Sequence, residues 1–310
     1  MNLDSRIFVA GHRGMVGSAI VRRLVRDNYS NIIQVGRDRV DLRDPVAVEW
    51  MFSAFQPEYV FLAAARVGGI IDNKEHPADF IVQNLQIQTN VISMAHKYGV
   101  KKLLFLGSAC AYPKHAPVPV RENSLLTGPL EDSNRAYAIA KIAGIEMCNA
   151  FRRQYGCNFI SCMPTNLYGP GDHYHAENSH VLPSLIMKIH EAKLENRPSV
   201  TVWGTGTPVR DFLYVDDLAD ACVFLMDRYN APGPINVASD DPVSISVLAS
   251  IVAESLRYSG TIEFDSSRPD GTPDRTMDCG KLSSKGWYAS TGLISGVDKT
   301  CADYLCRLQS

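Results

Sequence analysis

Tyr137-Ala138-Ile139-Ala140-Lys141 sets a phenol and an ammonium four residues apart, on one face of the segment if it is helical. An ammonium beside a phenol favours the phenolate and draws its pKa down from about 10 toward the working range. A tyrosine so tuned can protonate a carbonyl oxygen while hydride arrives from a nicotinamide. Ser108, in Leu106-Gly107-Ser108, follows an apolar run and offers a second hydroxyl to the same oxygen. Near the amino end, Gly11-His12-Arg13-Gly14-Met15-Val16-Gly17 follows another apolar run and leads into an amphipathic segment. Glycines at this spacing permit a tight turn and close approach to a pyrophosphate. The helix N-terminus behind them supplies N–H groups and a positive dipole end. Gly11, Arg13, Gly14, Met15, Val16 and Gly17 are therefore candidate cofactor contacts. The second apolar run ends at Gly36-Arg37, where an NAD site would place an acid against the ribose 2′-hydroxyl. Two arginines, Arg13 and Arg37, and no acid read instead as a 2′-phosphate site, selecting NADP(H). Asp41, slightly further on, is placed to approach the adenine.

These groups need a scaffold, and the apolar pattern predicts one. Strands are expected at Arg6–Ala10, Ile32–Val35, Tyr59–Ala63, Lys102–Leu106 and Phe159–Met163. Between them, Ser18–Asp27, Pro45–Phe55, Ala78–His96 and Tyr137–Gln154 carry apolar residues at helical spacing. Strands that alternate with helices imply right-handed βαβ crossovers and a doubly wound parallel α/β sheet. Ser108 then falls at the carboxyl edge, where such sheets bind ligands. After Pro164 the texture changes. Pro164–Pro183 is rich in turn formers and reads as a loop over a site. Helices at Val181–Glu195, Val215–Asp227, Val247–Ser255 and near Val297–Leu308 alternate with short strands at Thr201–Trp203, Ile235–Val237 and Ile262–Phe264. The expected division is a dinucleotide-binding domain over 1–165, with returning segments near 211–240, and a smaller α/β substrate domain over 166–310. No linker separates them.

The whole chain has 310 residues, 45% hydrophobic and 21% charged, the composition of a globular protein with a sizeable core. Its 31 basic and 33 acidic residues give a net charge of −2, with no general attraction for nucleic acid or an anionic membrane. No apolar stretch approaches the ~20 residues of a membrane span, and the amino end lacks a signal-peptide pattern. The eight cysteines are scattered without a Cys-x-x-Cys pair, which argues against a zinc site. Free thiols fit a reducing cytoplasm. All but Cys110 read as small buried hydrophobes.

Taken together, the glycine turn, Tyr137-x-x-x-Lys141 and several longer stretches resemble the extended short-chain dehydrogenase/reductases and, within them, the GDP-L-fucose synthase family. The further stretches are Arg66–Ile70, Met163–Pro170, Asn178–Pro183 and Val202–Gly206. The resemblance covers nearly the whole chain and implies a Rossmann domain with a smaller substrate domain. It implies conversion of GDP-4-keto-6-deoxy-D-mannose to GDP-L-fucose with NADPH, by epimerisation at C3 and C5 and reduction at C4. Ser108, Tyr137 and Lys141 would then form the reducing triad, and Cys110 with His180 the epimerising acid/base pair. It also sets Tyr137, Lys141, Asn166 and His180 against the cofactor, and implies a homodimer through helices such as Ala78–His96 and Tyr137–Gln154. The chemistry suits those residue types. Protons at C3 and C5 are acidic beside a C4 ketone, and a thiol (pKa about 8.5) and an imidazole (about 6.5) both exchange protons near neutrality.

The GDP end requires cations and a flat face, for which Lys188, Arg210 and Trp203 are the candidates. His173 and His175 are lesser alternatives to His180. The chain departs from the family in Ser108-Ala109-Cys110, where Ser-Ser-Cys is common, and in Asp172-His173, where Asp-Asn is common. Alternative readings are a GDP-L-colitose-type synthase, which epimerises only C5, a UDP-sugar 4-epimerase and a non-catalytic cofactor-binding module. Arg13 and Arg37 speak against the 4-epimerase. The intact Ser108, Tyr137 and Lys141 speak against the module.

Overall fold

The computed structural model describes residues 1–175, 179–268, 270 and 274–309. In the first half the chain runs β1 (Ile7–Ala10), α1 (Met15–Arg26), β2 (Ile32–Ile33), α2 (Pro45–Phe55), β3 (Tyr59–Leu62), α3 (Ile70–Glu75), α4 (Pro77–Lys97), β4 (Lys102–Leu106), α5 (Arg135–Tyr155) and β5 (Phe159–Pro164). The second half adds β6 (Asn166–Tyr168), α6 (Val181–Leu194), β7 (Ser199–Trp203), β8 (Val209–Arg210), β9 (Phe212–Tyr214), α7 (Val215–Arg228) and β10 (Pro234–Val237). It ends with β11 (Val243–Ser244), α8 (Ile245–Ser255), β12 (Thr261–Asp265), β13 (Asp274–Arg275), α9 (Gly280–Ser283) and α10 (Leu293–Leu308).

β1, β4 and β5 are buried from end to end, as strands covered on both faces must be. They lie in a six-stranded parallel sheet of order β10-β5-β4-β3-β1-β2. The order turns back on itself at β1, which pairs with β2 on one side and β3 on the other. The crevice at the carboxyl ends of β1 and β3 is thus the topological switch point, where doubly wound sheets take ligands. Helices α2, α4 and α5 cover one face through Val48, Phe52, Val91, Ile92 and Ile145. Helices α1 and α7 cover the other through Ile20, Leu24, Leu218 and Leu225. Lys102, 5% exposed, caps the end of α7 by donating to the carbonyls of Leu225, Met226 and Tyr229 at 2.9, 2.7 and 2.6 Å. A third apolar cluster joins α6, α8 and α10 to β7 and β9 through residues such as Ile186, Val252 and Val297.

Several elements differ from the sequence expectation. α1 begins at Met15 and not Ser18, because Gly14 is its N-cap. β2 shortens to two residues, and α3 occupies a stretch to which the sequence pattern assigns no element. Within the expected loop, Asn166–Tyr168 is a strand paired in parallel with Phe212–Tyr214, a partner more than forty residues away. Three residues carry no periodicity, so only that partner reveals the strand. The last helix starts at Leu293. Of the quoted stretches, Asn178 lies outside the described residues, as do Pro269 and 271–273 further along the chain. No described helix is long and apolar enough to cross a membrane.

Candidate active site

The glycine turn leaves β1 against the end of β3. Gly11 adopts φ +85°, and a Cβ there would stand 2.9 Å from the Ala64 Cα. A Cβ on Gly17 would lie 2.1 Å from the Gly11 carbonyl oxygen, so only glycine lets α1 close on the turn. Gly14 caps α1 without a side-chain hydrogen bond. The first-turn N–H groups are therefore left to a ligand, and the cradle fits a pyrophosphate.

At the far end of the crevice Arg13 and Arg37 flank Gly36. A Cβ on Gly36 would lie 2.6 Å from the Arg13 Cζ, so the guanidinium rests on that glycine. The site is not free of acids, however, and this corrects the sequence reading. Arg13 Nη1 meets Asp38 Oδ1 at 2.7 Å, and Arg37 Nε lies 3.6 Å from Asp41 Oδ2. Asp41 is held chiefly by Arg43, whose hydrogen bonds pull its carboxyl down to about 2. Asp41 is thus engaged by arginines within its own loop.

The carboxyl edge of β4 gathers the candidate chemistry. Ser108 caps a single 3₁₀ turn, Ala109–Ala111, its Oγ accepting from the Cys110 N–H at 3.3 Å. Helix α5 brings Tyr137 to this turn, beside Ser108 and Cys110. The ring meets Phe80 edge-on, with centroids 6.2 Å apart. Lys141, one turn later and 4% exposed, donates to the Leu106 carbonyl at 2.8 Å. Its ammonium stands 5.0 Å from the Phe105 ring centroid and 5.7 Å from that of Tyr137. Burial pulls Lys141 down to about 8. The expected phenolate is not what this packing favours. Desolvation pushes the Tyr137 phenol above its ordinary range and outweighs the Ser108 hydrogen bond, so Tyr137 holds its proton.

His180 is the N-cap of α6 and exposed to solvent. Surrounding protein nevertheless holds its imidazole below the ordinary range by desolvation, with His173 acting in the same direction. His173 and His175 stack in parallel, 6.1 Å apart and exposed. Asn166 donates to the Asp211 carbonyl at 2.9 Å, tying β6 to the start of β9.

The three candidates for the nucleotide end lie on different elements. Trp203, at the end of β7, is 58% exposed. Lys188 of α6 and Arg268 of the turn after β12 stand 5.3 and 5.1 Å from its ring centroid. Arg210 is half-buried on β8 and donates to the Val209 carbonyl at 2.7 Å. Asp211 and Asp216, the acids that follow it closely in sequence, are engaged elsewhere. Asp211 accepts from the Met277 N–H at 2.8 Å, and Asp216 pairs with Arg22 at 2.5 Å. Asp270 accepts from the Thr205 N–H at 2.9 Å and its hydroxyl at 2.7 Å, bracing the Trp203–Gly206 turn. Asp38, Arg268 and Asp270 were missed from sequence. The turn-forming residue types on either side of Asp270 in the sequence were the available signal.

All eight cysteines are free. Cys110 and Cys157 are half-buried, and Cys306 is exposed, against the expectation that every cysteine but Cys110 is buried. Among the described residues no group of three or more His, Cys, Asp or Glu could hold a metal ion.

The model of the NAD dependent epimerase/dehydratase family matches residues 7–238. GDP-L-fucose synthase 1 of Arabidopsis thaliana is 54% identical over 302 residues, covering 97% of this chain and 94% of that protein. GDP-L-fucose synthase of Escherichia coli K12 is 47% identical, with 95% of both chains covered. The crystal structure of a GDP-L-fucose synthetase from Naegleria fowleri bound to NADP superposes with a TM-score of 0.93 at 28% identity, covering 100% of this chain and 97% of that one.

Proposed function

The chain belongs to the NAD dependent epimerase/dehydratase family, and from that premise we propose that it is a bifunctional epimerase–reductase converting GDP-4-keto-6-deoxy-D-mannose to GDP-L-fucose with NADPH. The observation that carries this reading is the gathering of Ser108, Cys110, Tyr137 and Lys141 at the carboxyl edge of β4. A plain reductase needs no thiol there. The identities of 54% and 47% to named GDP-L-fucose synthases support the same substrate.

The glycine turn holds the pyrophosphate, and Arg13 with Arg37 favours a 2′-phosphate through charge-assisted hydrogen bonds. Ser108 and Tyr137 donate to the C4 carbonyl oxygen, which stabilises negative charge on it as an oxyanion hole does. His180 is held neutral near neutral pH, so it can take the proton from C3 or C5. The Cys110 thiol returns a proton to the opposite face, and the enolate collapses to the epimerised ketone. When bound, NADPH supplies the hydride that reduces C4. Tyr137 delivers its proton to the C4 oxygen, and Lys141 holds the nicotinamide ribose. Lys188, Arg210 and Trp203 receive the GDP end.

Product analysis after incubation with GDP-4-keto-6-deoxy-D-mannose and NADPH tests the reading directly. GDP-L-fucose is expected, and recovery of unchanged ketosugar would refute it. In heavy water with a non-reducing cofactor analogue, wild type should exchange both C3 and C5. Cys110→Ser and His180→Gln should each lose most of that exchange. Undiminished exchange in Cys110→Ser would remove the thiol from the mechanism, and wild-type exchange at C5 alone would mark a colitose-type enzyme. We further propose a homodimer, supported by Val82 on α4 and Ile139 on α5, which are 50% and 39% exposed. Light scattering that returns the mass of a single chain would refute it.

A further inference from the structure

Two basic side chains receive the 2′-phosphate in the function proposed above, yet one of them is already occupied. The Arg13 guanidinium meets Asp38 at 2.7 Å, in a pair whose side chains are 68% and 67% exposed. The pair stacks on a glycine: a Cβ at Gly36 would come within 2.6 Å of the Arg13 Cζ and 2.3 Å of Asp38 Oδ1. Asp41 is different. Arg43 grips it through Nε and Nη2, at 3.0–3.1 and 2.5 Å, while Arg37 Nε stands off at 3.6 Å. Arg37 is therefore the looser cation, and Arg13 the one satisfied from within.

We propose that Asp38 is an internal stand-in for the 2′-phosphate, holding Arg13 over Gly36 and limiting affinity for the 2′-phosphorylated cofactor. The inference rests on the reading of Arg13 and Arg37 as phosphate-binding. Its physical basis is exchange of like for like. A carboxylate and a phosphate both accept from the guanidinium fork, so Arg13 cannot serve the phosphate fully while it serves Asp38. A phosphate drawn to Arg13 also meets the charge of Asp38, of its own sign. Both partners face water, so the exchange needs no opening of the fold. A dinucleotide without the 2′-phosphate makes no such demand on Arg13. Asp38 is thus a specificity-determining residue that works against the preferred cofactor, leaving Arg13 oriented before binding and easing release after it.

Calorimetry with 2′,5′-ADP and 5′-ADP, which lack the nicotinamide, separates this from catalysis. Wild type should prefer 2′,5′-ADP. In Asp38→Asn and Asp38→Ser, 2′,5′-ADP should bind roughly two- to fivefold tighter at low salt, the range expected for one exposed charge pair. Binding of 5′-ADP should stay within about twofold, and the gain should shrink at ~0.5 M salt. Unchanged or weaker 2′,5′-ADP binding in both variants, or an equal gain for 5′-ADP, would overturn the inference while leaving the NADP reading standing. A wild type that does not distinguish the two ligands would overturn both.

Discussion

Tyr137 shows how burial and partners divide the control of one proton. Desolvation keeps the phenol protonated, and the Ser108 hydrogen bond opposes it. A group that must deliver a proton to a carbonyl oxygen is better held in that form than ionised in advance. Tyr137→Phe keeps the ring against Phe80 and removes only the hydroxyl. C4 reduction should fall by roughly 10²–10⁴-fold, the range for loss of a positioned acid. NADPH binding and the unfolding midpoint should stay near wild type. Near-normal turnover, measured by NADPH absorbance, would place the acid elsewhere. The spacing of Tyr137 and Lys141 was legible in the sequence because a helix fixes which residues share a face. The direction of the phenol's shift was not, because it depends on how much protein closes around the ring.

The turn between β1 and α1 acts as a unit of close backbone approach. Gly17 packs so tightly on Gly11 that a methyl group would overlap the Gly11 carbonyl oxygen, which the Gly14 N–H holds at 2.9 Å. Gly17→Ala must therefore part the helix from the turn. Overpacking of this kind costs typically 1–3 kcal/mol. The thermal midpoint should drop, and NADPH affinity should fall more than tenfold. Gly14→Ala is the control for fold, since its Cβ would meet the Gly11 oxygen at an ordinary 3.4 Å. Equal midpoints for Gly17→Ala and wild type would contradict this account of the turn.

Across the molecule, the first and last helices are joined through the turn that follows β6. Gly171 lies against α1, where a Cβ would come within 3.3 Å of the Met15 Cα. Asp303 of α10 accepts from the Gly171 N–H at 3.3 Å, and Arg307 donates to the Asp172 carbonyl at 3.2 Å. Asp172 itself is 6% exposed. One carboxyl oxygen accepts from the His173 N–H at 2.8 Å, and the other has no hydrogen-bond partner among the described residues. Burial raises this carboxyl to about 7, despite the His173 N–H and Arg307. Its folded pKa thus lies above the unfolded value of about 3.9. The stability it contributes is complete below that value and is lost as pH rises through 7. Asp172→Asn cannot ionise and keeps an oxygen for the His173 N–H. Between pH 4 and 7 wild type should lose stability that the variant retains. The difference should level off above pH 7 at about 4 kcal/mol, about 1.4 kcal/mol for each of the ~3 pH units between the unfolded and folded pKa. Parallel pH profiles in urea unfolding would refute a buried charge at this clamp.

What the sequence determined by itself was whatever local pattern can encode. Apolar runs such as Ile7–Ala10 and Leu103–Leu106 are buried whichever neighbours they find, so the central strands and their helices follow from periodicity. The glycine spacing and the Tyr137–Lys141 interval carry their geometry within one turn or one helix. Tertiary structure alone decided the rest, because those features are relations between distant segments. Asn166–Tyr168 is a strand only because Phe212–Tyr214 lies beside it. Arg13 is occupied only because the loop after β2 brings Asp38 back to it. Arg268 reaches Trp203 only because β12 pairs with β7. Residue type limits what a side chain can do, and the chain's return paths decide which partners, and how much water, it meets.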